Sequence, residues 1–291
     1  MHRLWLLILL FCVSCGSLYK VTKVVDKGRF EGNNYSETAS TSKNLQIIVF
    51  DVGEGSSWLI VPVNGEAIII DAGPPLAYTK IIKPFLAVNE ITLSKLILTH
   101  GDIDHSGGAE EVGIAPEILN SGDEIDISGD ATLQIVAKDC LYMDGSEAAE
   151  CKDDNEKSAV ILVSVGQFRF LSTADLPGGG GDGEYKTIDL ESHIGELVGD
   201  IDVLLVGHHG SKSSTNEDFL KLITPEIGII SIGNFNDYYH PHKSVIERLL
   251  NNGVKIIQTE KGYLSEDFVD DVIIKNDHIL IEAGGSSYSI Y

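Results

Sequence analysis

One short segment of the chain concentrates side chains that bind metal ions. His100, Asp102, Asp104 and His105 lie within six residues, directly after the apolar run 95–99, which predicts a buried strand. Imidazole and carboxylate groups together suit zinc, with manganese or iron as alternatives. In an extended loop the first three can point to one side, while the turn that follows presents further ligands to a second cation. An acidic helix cap is the plainer interpretation, but it leaves the two flanking histidines unexplained.

Further candidate ligands stand farther along the chain. Asp175, His208 and His209 each follow an apolar run, and His240 lies in a Tyr-His-Pro-His segment. Ligands and catalytic residues favour the carboxyl ends of strands in α/β folds. In the histidine pair, one imidazole can complete a metal shell while the other contacts the scissile group or protonates a leaving oxygen, and the sequence does not say which. A turn-capping carboxylate and structural histidines are the alternatives.

The patterns around these residues predict a layered α/β domain. Short apolar runs separated by glycine-containing turns indicate a strand meander, and later runs alternate with helical segments. The predicted strands are 46–50, 58–61, 67–70, 95–99, 132–137, 159–165, 168–173, 203–206, 227–232 and 255–258. The predicted helices are 78–88, 185–198, 216–223 and 243–252. The last two apolar runs, 272–275 and 279–282, predict a β-hairpin.

The chain is strongly acidic. Its 21 Lys and Arg residues oppose 44 Asp and Glu residues, which gives a formal net charge of −23 over 291 residues. Non-specific binding to nucleic acid depends on Lys and Arg at phosphates, so this surface disfavours it. Solubility alone is the plainer explanation of the charge.

The N-terminus predicts export. Arg3 precedes the apolar run 4–13, which is shorter than the roughly 20 residues that a membrane-spanning helix needs, but suits a signal peptide. Cys15 lies in Val-Ser-Cys-Gly-Ser, which resembles the lipobox of bacterial lipoproteins, with Cys12 where that pattern prefers Leu. We expect a signal peptide over 1–15, lipid on Cys15 and attachment to a bacterial membrane, at the periplasmic or cell-surface side. A simple cleaved signal and an uncleaved anchor are the alternatives.

The remainder divides into a tether and a domain. Residues 16–44 are polar and predict a flexible tether, and 45–291 predict a single domain. Cleavage before Cys15 leaves Cys140 and Cys151, both of which would meet an oxidising compartment. The residues between them indicate a loop, so we expect a disulfide; two free thiols or a thiol metal site are the alternatives.

Several motifs, in order, resemble the metallo-β-lactamase superfamily. His100 to His105 is similar to its His-x-His-x-Asp-His signature, with Asp102 in place of the second histidine. That variant, followed by Ser-Gly-Gly, resembles the C-terminal hydrolase domain of the ComEC-type DNA-uptake competence proteins. The Asp-Val-Gly-Glu-Gly of 51–55 is similar to that family's Asp-Val-Gly-Gln-Gly, and Ala174-Asp175 stands where the family has Gly-Asp. The other matching segments are 70–73, 155–158, 206–211 and 239–242.

The resemblance implies a four-layer αβ/βα sandwich and two divalent metal ions, zinc first, with manganese or iron as alternatives. It implies that His100 and Asp102 bind the first ion. Asp104 and His105 then bind the second ion, and Asp175 bridges the two. One or both of His208 and His209 would be ligands or catalytic groups, and His240 a further ligand. Since no histidine lies between His105 and His193, the first site is poor in protein ligands: its ion would use Asn155 or water, or bind weakly.

The same resemblance implies a reaction. A metal-activated water would hydrolyse a phosphodiester or another small-molecule substrate. A lactam, lactone or thioester hydrolase with the same metals is one alternative, and a non-catalytic surface binding module is another. Asp51 and Asp71, at strand-end turns, either orient ligand histidines or hydrogen-bond their own turns.

Overall fold

The computed structural model describes residues 45–63, 65–148, 151–181, 186–285 and 287–291. The signal peptide and tether predicted for 1–15 and 16–44 lie outside these residues. The strands are β1 Leu45–Val49, β2 Trp58–Pro62, β3 Ala67–Ile70, β4 Leu93–Ile97, β5 Glu124–Ser128, β6 Ala131–Lys138, β7 Leu141–Tyr142, β8 Val160–Val165, β9 Phe168–Ser172, β10 Val203–Leu205, β11 Ile227–Ile230, β12 Lys255–Gln258, β13 Val272–Ile274, β14 Ile279–Gly284 and β15 Ser287–Ile290.

Six short α-helices complete the described part of the chain. They are α1 Lys83–Val88, which continues the π-helical turn Tyr78–Ile82, α2 Ile103–Ser106, α3 Ala109–Val112, α4 Glu191–Val198, α5 Glu217–Ile223 and α6 Lys243–Asn251. Short 3-10 turns lie at Asn155–Lys157, Gly207–Gly210 and Glu266–Phe268. Over the described ranges, no helix has the length and apolar character needed to span a bilayer.

The strands form two sheets. One sheet has the order β15-β14-β1-β2-β3-β4, in which only β3 and β4 pair in parallel. The other has the order β13-β12-β11-β10-β9-β8-β6-β5, with β7 paired to β6. Its strands from β9 to β13 are parallel, so their carboxyl ends meet at one edge.

Side chains that alternate along each strand build the four layers. In β1, Ile47 and Val49 pack in the core between the sheets, while Ile48 packs toward α1. In β9, Phe170 enters the same central core, and Leu171 faces the helices on the other side. This period-two pattern gives each sheet two apolar faces, one for the opposite sheet and one for helices. The four-layer αβ/βα sandwich is therefore confirmed.

The hairpin predicted at the end of the chain is wrong. β13 pairs in parallel with β12, whereas β14 pairs antiparallel with β1 in the other sheet. Both runs are short and apolar, and the turn between them suits a hairpin, so the sequence does not distinguish pairing from a crossover. Burial decides: Val272 packs under the helices, and Ile279 and Ile281 pack between the sheets. The hairpin that does form joins β14 to β15.

Other element boundaries also differ from the predictions. The helix expected over 185–198 begins only at Glu191, and 182–185 lie outside the described residues. Strands β5, β7 and β15 were not predicted from the sequence. β5 reads Glu-Ile-Asp-Ile-Ser and has no fully buried side chain, because it is the edge strand beside β6. Its strict alternation was the available signal.

The predicted disulfide is confirmed. Cys140 and Cys151 are bonded, and their Cα atoms lie 6.0 Å apart. The bond closes the loop that follows β6, on the side of the sheet that packs against α4.

Candidate metal centre

The candidate ligands meet where the strands of both sheets end. Asp71 directly follows β3, and His100 follows β4 by two residues. From the other sheet, Asp175 follows β9, and His208 and His209 follow β10. Because these strand ends face one another across the sandwich, ligands far apart in sequence reach one centre.

The motif from His100 to His105 folds as an extended entry and one helical turn. Asp102 has extended backbone angles, and its carbonyl accepts hydrogen bonds from the backbone N–H groups of His105 and Ser106. The expectation of an extended loop through Asp104 is therefore wrong, since the chain turns at Ile103. The Asp102 side chain makes no capping hydrogen bond, so the helix does not use its carboxylate.

The Oδ1 atom of Asp175 faces one group of side chains, which we call the Oδ1 set: Asp104, His105 and His209. Asp175 Oδ1 lies 3.2 Å from His105 Nε2 and 3.8 Å from His209 Nε2. Asp104 Oδ2 is 3.3 Å from His209 Nε2 and 4.0 Å from His105 Nε2. All four ligand atoms lie within 4.8 Å of one another. The edges of a zinc tetrahedron with bonds of about 2.0–2.1 Å measure about 3.3 Å, so this set fits a cation.

The other oxygen of Asp175 faces what we call the Oδ2 set: His100, Asp102 and His208. Asp175 Oδ2 lies 3.9 Å from His100 Nε2 and 3.6 Å from His208 Nε2. Asp102 Oδ2 is 3.6 Å from His100 Nε2. His100 Nε2 is buried and has no hydrogen-bond partner. An orphaned imidazole nitrogen of this kind fits a ligand to a cation, because burial without a partner is otherwise costly.

Each of these imidazoles has its other ring nitrogen engaged. His105 Nδ1 lies 2.7 Å from Asp71 Oδ2, and His209 Nδ1 lies 3.0 Å from the Ser231 carbonyl oxygen. Both acceptors require an N–H at Nδ1, which leaves Nε2 as the free lone pair. His100 Nδ1 approaches Thr99 Oγ1 at 3.1 Å, and His208 Nδ1 approaches Ser213 Oγ at 3.2 Å. All four Nε2 atoms therefore point at Asp175.

The charges in the centre depend on one another. Burial opposes a charge on Asp175, yet His208, His105 and His209 outweigh it and hold the pKa of this carboxyl well below its usual range. Burial also opposes the imidazolium of His105, but Asp175 and Asp71 raise its pKa well above the ordinary value. A buried carboxylate thus demands positive charge beside it, from imidazolium protons or from cations.

The backbone at the centre adopts left-handed angles. Asp71, Ala174, His208 and His209 have φ values of 57°, 46°, 48° and 52°. This conformation costs free energy in residues other than glycine, and non-glycine residues that adopt it cluster at functional sites. Ala174 stands where the resembled family has glycine, which the positive φ explains.

The other residues singled out in the sequence differ in how close they lie to the centre: His240, Asn155, Asp51 and Asp71. His240 is buried behind His208, with 5.6 Å between ring centroids, and it is not in the Oδ1 set. Asn155 lies in the turn beside Gly101, and its Oδ1 is buried without a partner. Asp51 accepts only a long contact from Gly53 N–H at 3.4 Å, whereas Asp71 holds His105 directly. Of the two aspartates, only Asp71 orients a candidate ligand.

Four residues that contact or face the centre were not predicted from the sequence. The Thr99 hydroxyl donates to Asp71 Oδ2 at 2.8 Å and joins the His100 and His105 rings. Ser213 and Ser231 orient the histidine pair as described above. Burial raises the pKa of Glu54 to about 7, with His209 opposing and Asp104 adding to the shift. The signal for Thr99 and Ser231 was their place at the ends of apolar runs.

The chain is similar in sequence to known proteins. Residues 50–116 match the metallo-beta-lactamase superfamily. Over 223 residues the chain is 36% identical to "Recombination protein 2" of Haemophilus influenzae, covering 70% of this chain and 26% of that protein. It is 31% identical over 235 residues to "Competence protein ComA" of Neisseria gonorrhoeae, with 78% and 33% covered. It is 28% identical over 269 residues to "ComE operon protein 3" of Bacillus subtilis, with 76% and 32% covered.

The matched segment and the four-layer sandwich together define the class: residues 50–116 match the metallo-β-lactamase superfamily, and the described chain has the fold of that superfamily. Within it, the chain is similar to competence proteins of the ComEC type, as its motifs predicted. It spans about a quarter to a third of the length of these relatives.

Proposed function

We propose that this chain is a hydrolase that holds two divalent cations, zinc first, and cleaves a phosphodiester bond. The observation that carries the proposal is the carboxylate of Asp175, which is buried and offers each oxygen to a different set of ligands. A single structural ion pair needs only one such set. A carboxylate between two sets is what two neighbouring cations require.

The candidate ligands divide between two cations. Asp104, His105, His209 and Asp175 would hold one cation, and His100, Asp102 and Asp175 would hold the other. Cations bound there supply an acidified water and polarise the scissile group. His208 is the histidine of its set whose side chain is partly exposed, and it lies beside Asp175 Oδ2, so we assign it to positioning the substrate and to proton transfer to the leaving oxygen. Ser213 fixes its ring through Nδ1.

The substrate class rests on similarity and charge. The similar proteins carry names that refer to recombination and competence, which favours a phosphodiester. The formal charge of −23 opposes a long polyanion held along the surface, but a cation pair at the centre attracts one phosphate locally.

We also propose that the chain is exported and anchored through lipid on Cys15, ahead of a 16–44 tether. The disulfide between Cys140 and Cys151 supports export, because such bonds persist in oxidising compartments. Labelled fatty acid should be incorporated by the wild type and not by Cys15→Ala. Label that persists in the variant, or a wild type without label, would contradict the anchor.

The proposed activity is tested on the full chain purified in detergent, stripped with chelator and reloaded with zinc or manganese. We expect hydrolysis of a thymidine dinucleotide and of an alkyl phosphodiester that returns only with added metal. A lactam, a lactone and a thioester are assayed beside them. Faster turnover of one of these than of either diester would overturn the substrate class. Two bound ions with no turnover of any substrate would favour the binding module.

A further inference from the structure

A loop beside the metal centre presents aromatic rings to solvent. We call residues 233–240 the aromatic loop. Phe235 is 97% exposed, and Tyr238 and Tyr239 are 66% and 65% exposed. Exposed aromatic residues that lie together usually mark a surface for binding, because each ring costs free energy when it faces water.

The loop is held in place rather than hanging free. The buried Asn236 donates from its amide to the carbonyl oxygens of Gly233 and His240, at 3.0 Å each, and accepts from the His240 N–H at 2.7 Å. The ring of Tyr239 packs edge-on against Tyr263, with 4.8 Å between centroids. The loop backbone and the Tyr239 ring are therefore positioned before a ligand arrives, which lowers the entropy lost on binding.

Ring contacts connect the loop to the metal centre. Tyr238 stacks on His240 at 5.8 Å with 22° between the ring planes, and His240 lies 5.6 Å from His208. At the other end of the loop, Gly233 packs on the backbone of Glu54, where an added Cβ would lie 2.5 Å from the nitrogen. The aromatic loop therefore lies beside the side of the centre where His208 stands, and the Tyr238 ring is linked to His208 through His240.

We propose that the aromatic loop binds a nucleobase of the substrate, so that the enzyme acts on short nucleotides with a base next to the cleaved diester. This rests on the proposed function, since it places the scissile phosphate at the metal centre. Stacking recognises the flat face of any base and needs no positive charge on the protein. That suits a surface with a net charge of −23, which selects against long strands.

The test compares two diesters that differ only in the base. The metal-loaded full chain is assayed on a thymidine dinucleotide and on the same compound with one base removed. Phe235→Ala should raise KM for the dinucleotide about fivefold to tenfold and leave kcat, and the KM of the abasic compound, within about twofold. Tyr238→Ala should act alike, while Tyr238→Phe keeps the ring and stays near wild type. Ile118→Ala is the matched control, because Ile118 is 92% exposed and lies outside the loop.

Each result of these assays supports or overturns the base site. If the wild type cleaves the dinucleotide and Phe235→Ala changes neither KM, the base site is wrong while the proposed function stands. An equal rise in KM for both compounds also overturns the base site. If the wild type cleaves neither diester, binding of thymidine 5′-phosphate by NMR decides: binding that needs Phe235 supports the site, and none contradicts it. Binding to lipid vesicles is measured on protein that carries Cys15→Ala and so lacks the proposed lipid anchor. If Phe235→Ala weakens only this binding, the loop contacts membrane and the base site is wrong.

Discussion

The two sides of Asp175 differ in how completely the protein encloses a cation. The Oδ1 set offers three further ligands, two of them fully buried histidines, and the Asp104 side chain is 27% exposed. In the Oδ2 set the Asp102 side chain is 47% exposed, and the oxygen of Asp175 lies 3.6–3.9 Å from its histidines. The protein encloses the Oδ1 set more completely than the Oδ2 set, so we call them the closed side and the open side.

The difference indicates unequal affinity and unequal roles. A cation in the Oδ1 set would lose most of its water to protein ligands, so we expect it to bind tightly. A cation in the Oδ2 set would have fewer protein ligands, and catalytic metal sites need such open positions for water and substrate. The open side also carries His208, the group that we assign to the leaving oxygen.

Asp175→Asn should have the largest effect, because it removes the one charge that both sides share. We expect the variant to lose both cations and activity on the order of 10⁴-fold or more, with the fold intact. Metal content by elemental analysis and circular dichroism check this. Asp144→Asn is the control, since Asp144 Oδ2 also lies 3.3 Å from a histidine, His193, but at the exposed surface. Full metal content and turnover in Asp175→Asn would end the bridging assignment.

The adjacent histidines should separate the two sides. His209→Ala should lose the tightly held cation, because its Nε2 belongs to the Oδ1 set. His208→Ala should keep that cation and lose about 10²-fold in kcat. Metal content and kcat, measured on both variants, test the division. The reverse pattern would exchange the two roles.

Asp71→Asn should weaken the closed side most. Asp71 accepts the Nδ1 proton of His105, so the variant should lower affinity for the tight cation about 10- to 100-fold. Asp51→Asn is the matched control, since Asp51 also follows a strand but contacts no candidate ligand. Competition with a chelator measures both. Equal affinities in the two variants would show that Asp71 serves its turn alone.

Ala174→Gly should have the smallest effect and leave both sides unchanged. The φ of 46° at Ala174 strains an alanine by about 1–2 kcal/mol, and glycine returns about 0.5–1 kcal/mol of this as unfolded-chain entropy. We therefore expect the free energy of unfolding to rise by about 0.5 to 1 kcal/mol. Urea denaturation checks it, and a clear loss of stability would mean that the alanine methyl packs usefully.

Much of the sandwich was predictable from local patterns, and its assembly was not. Alternation at Ile47, Ile48 and Val49 predicts a strand with two covered faces, and this indicates layers. The run 279–282 carries the same local signal as 272–275, yet the two belong to different sheets. Pairing depends on long-range burial, which a short apolar run does not encode.

The metal centre was likewise predictable only in part. Residue types and spacing pointed to His100, Asp102, Asp104 and His105, because imidazoles and carboxylates are the groups that zinc binds. The groups that orient them, such as Thr99 and the carbonyl of Ser231, are ordinary residues whose role comes only from position. Which side of Asp175 each histidine faces is likewise a property of the folded chain.

The most direct test of two cations on one carboxylate is a zinc-loaded crystal with anomalous diffraction at the zinc edge. We predict two peaks about 3.5–4 Å apart, one on each side of Asp175, with the peak in the Oδ1 set at higher occupancy. A single peak, or two peaks that share neither oxygen of Asp175, would contradict the account.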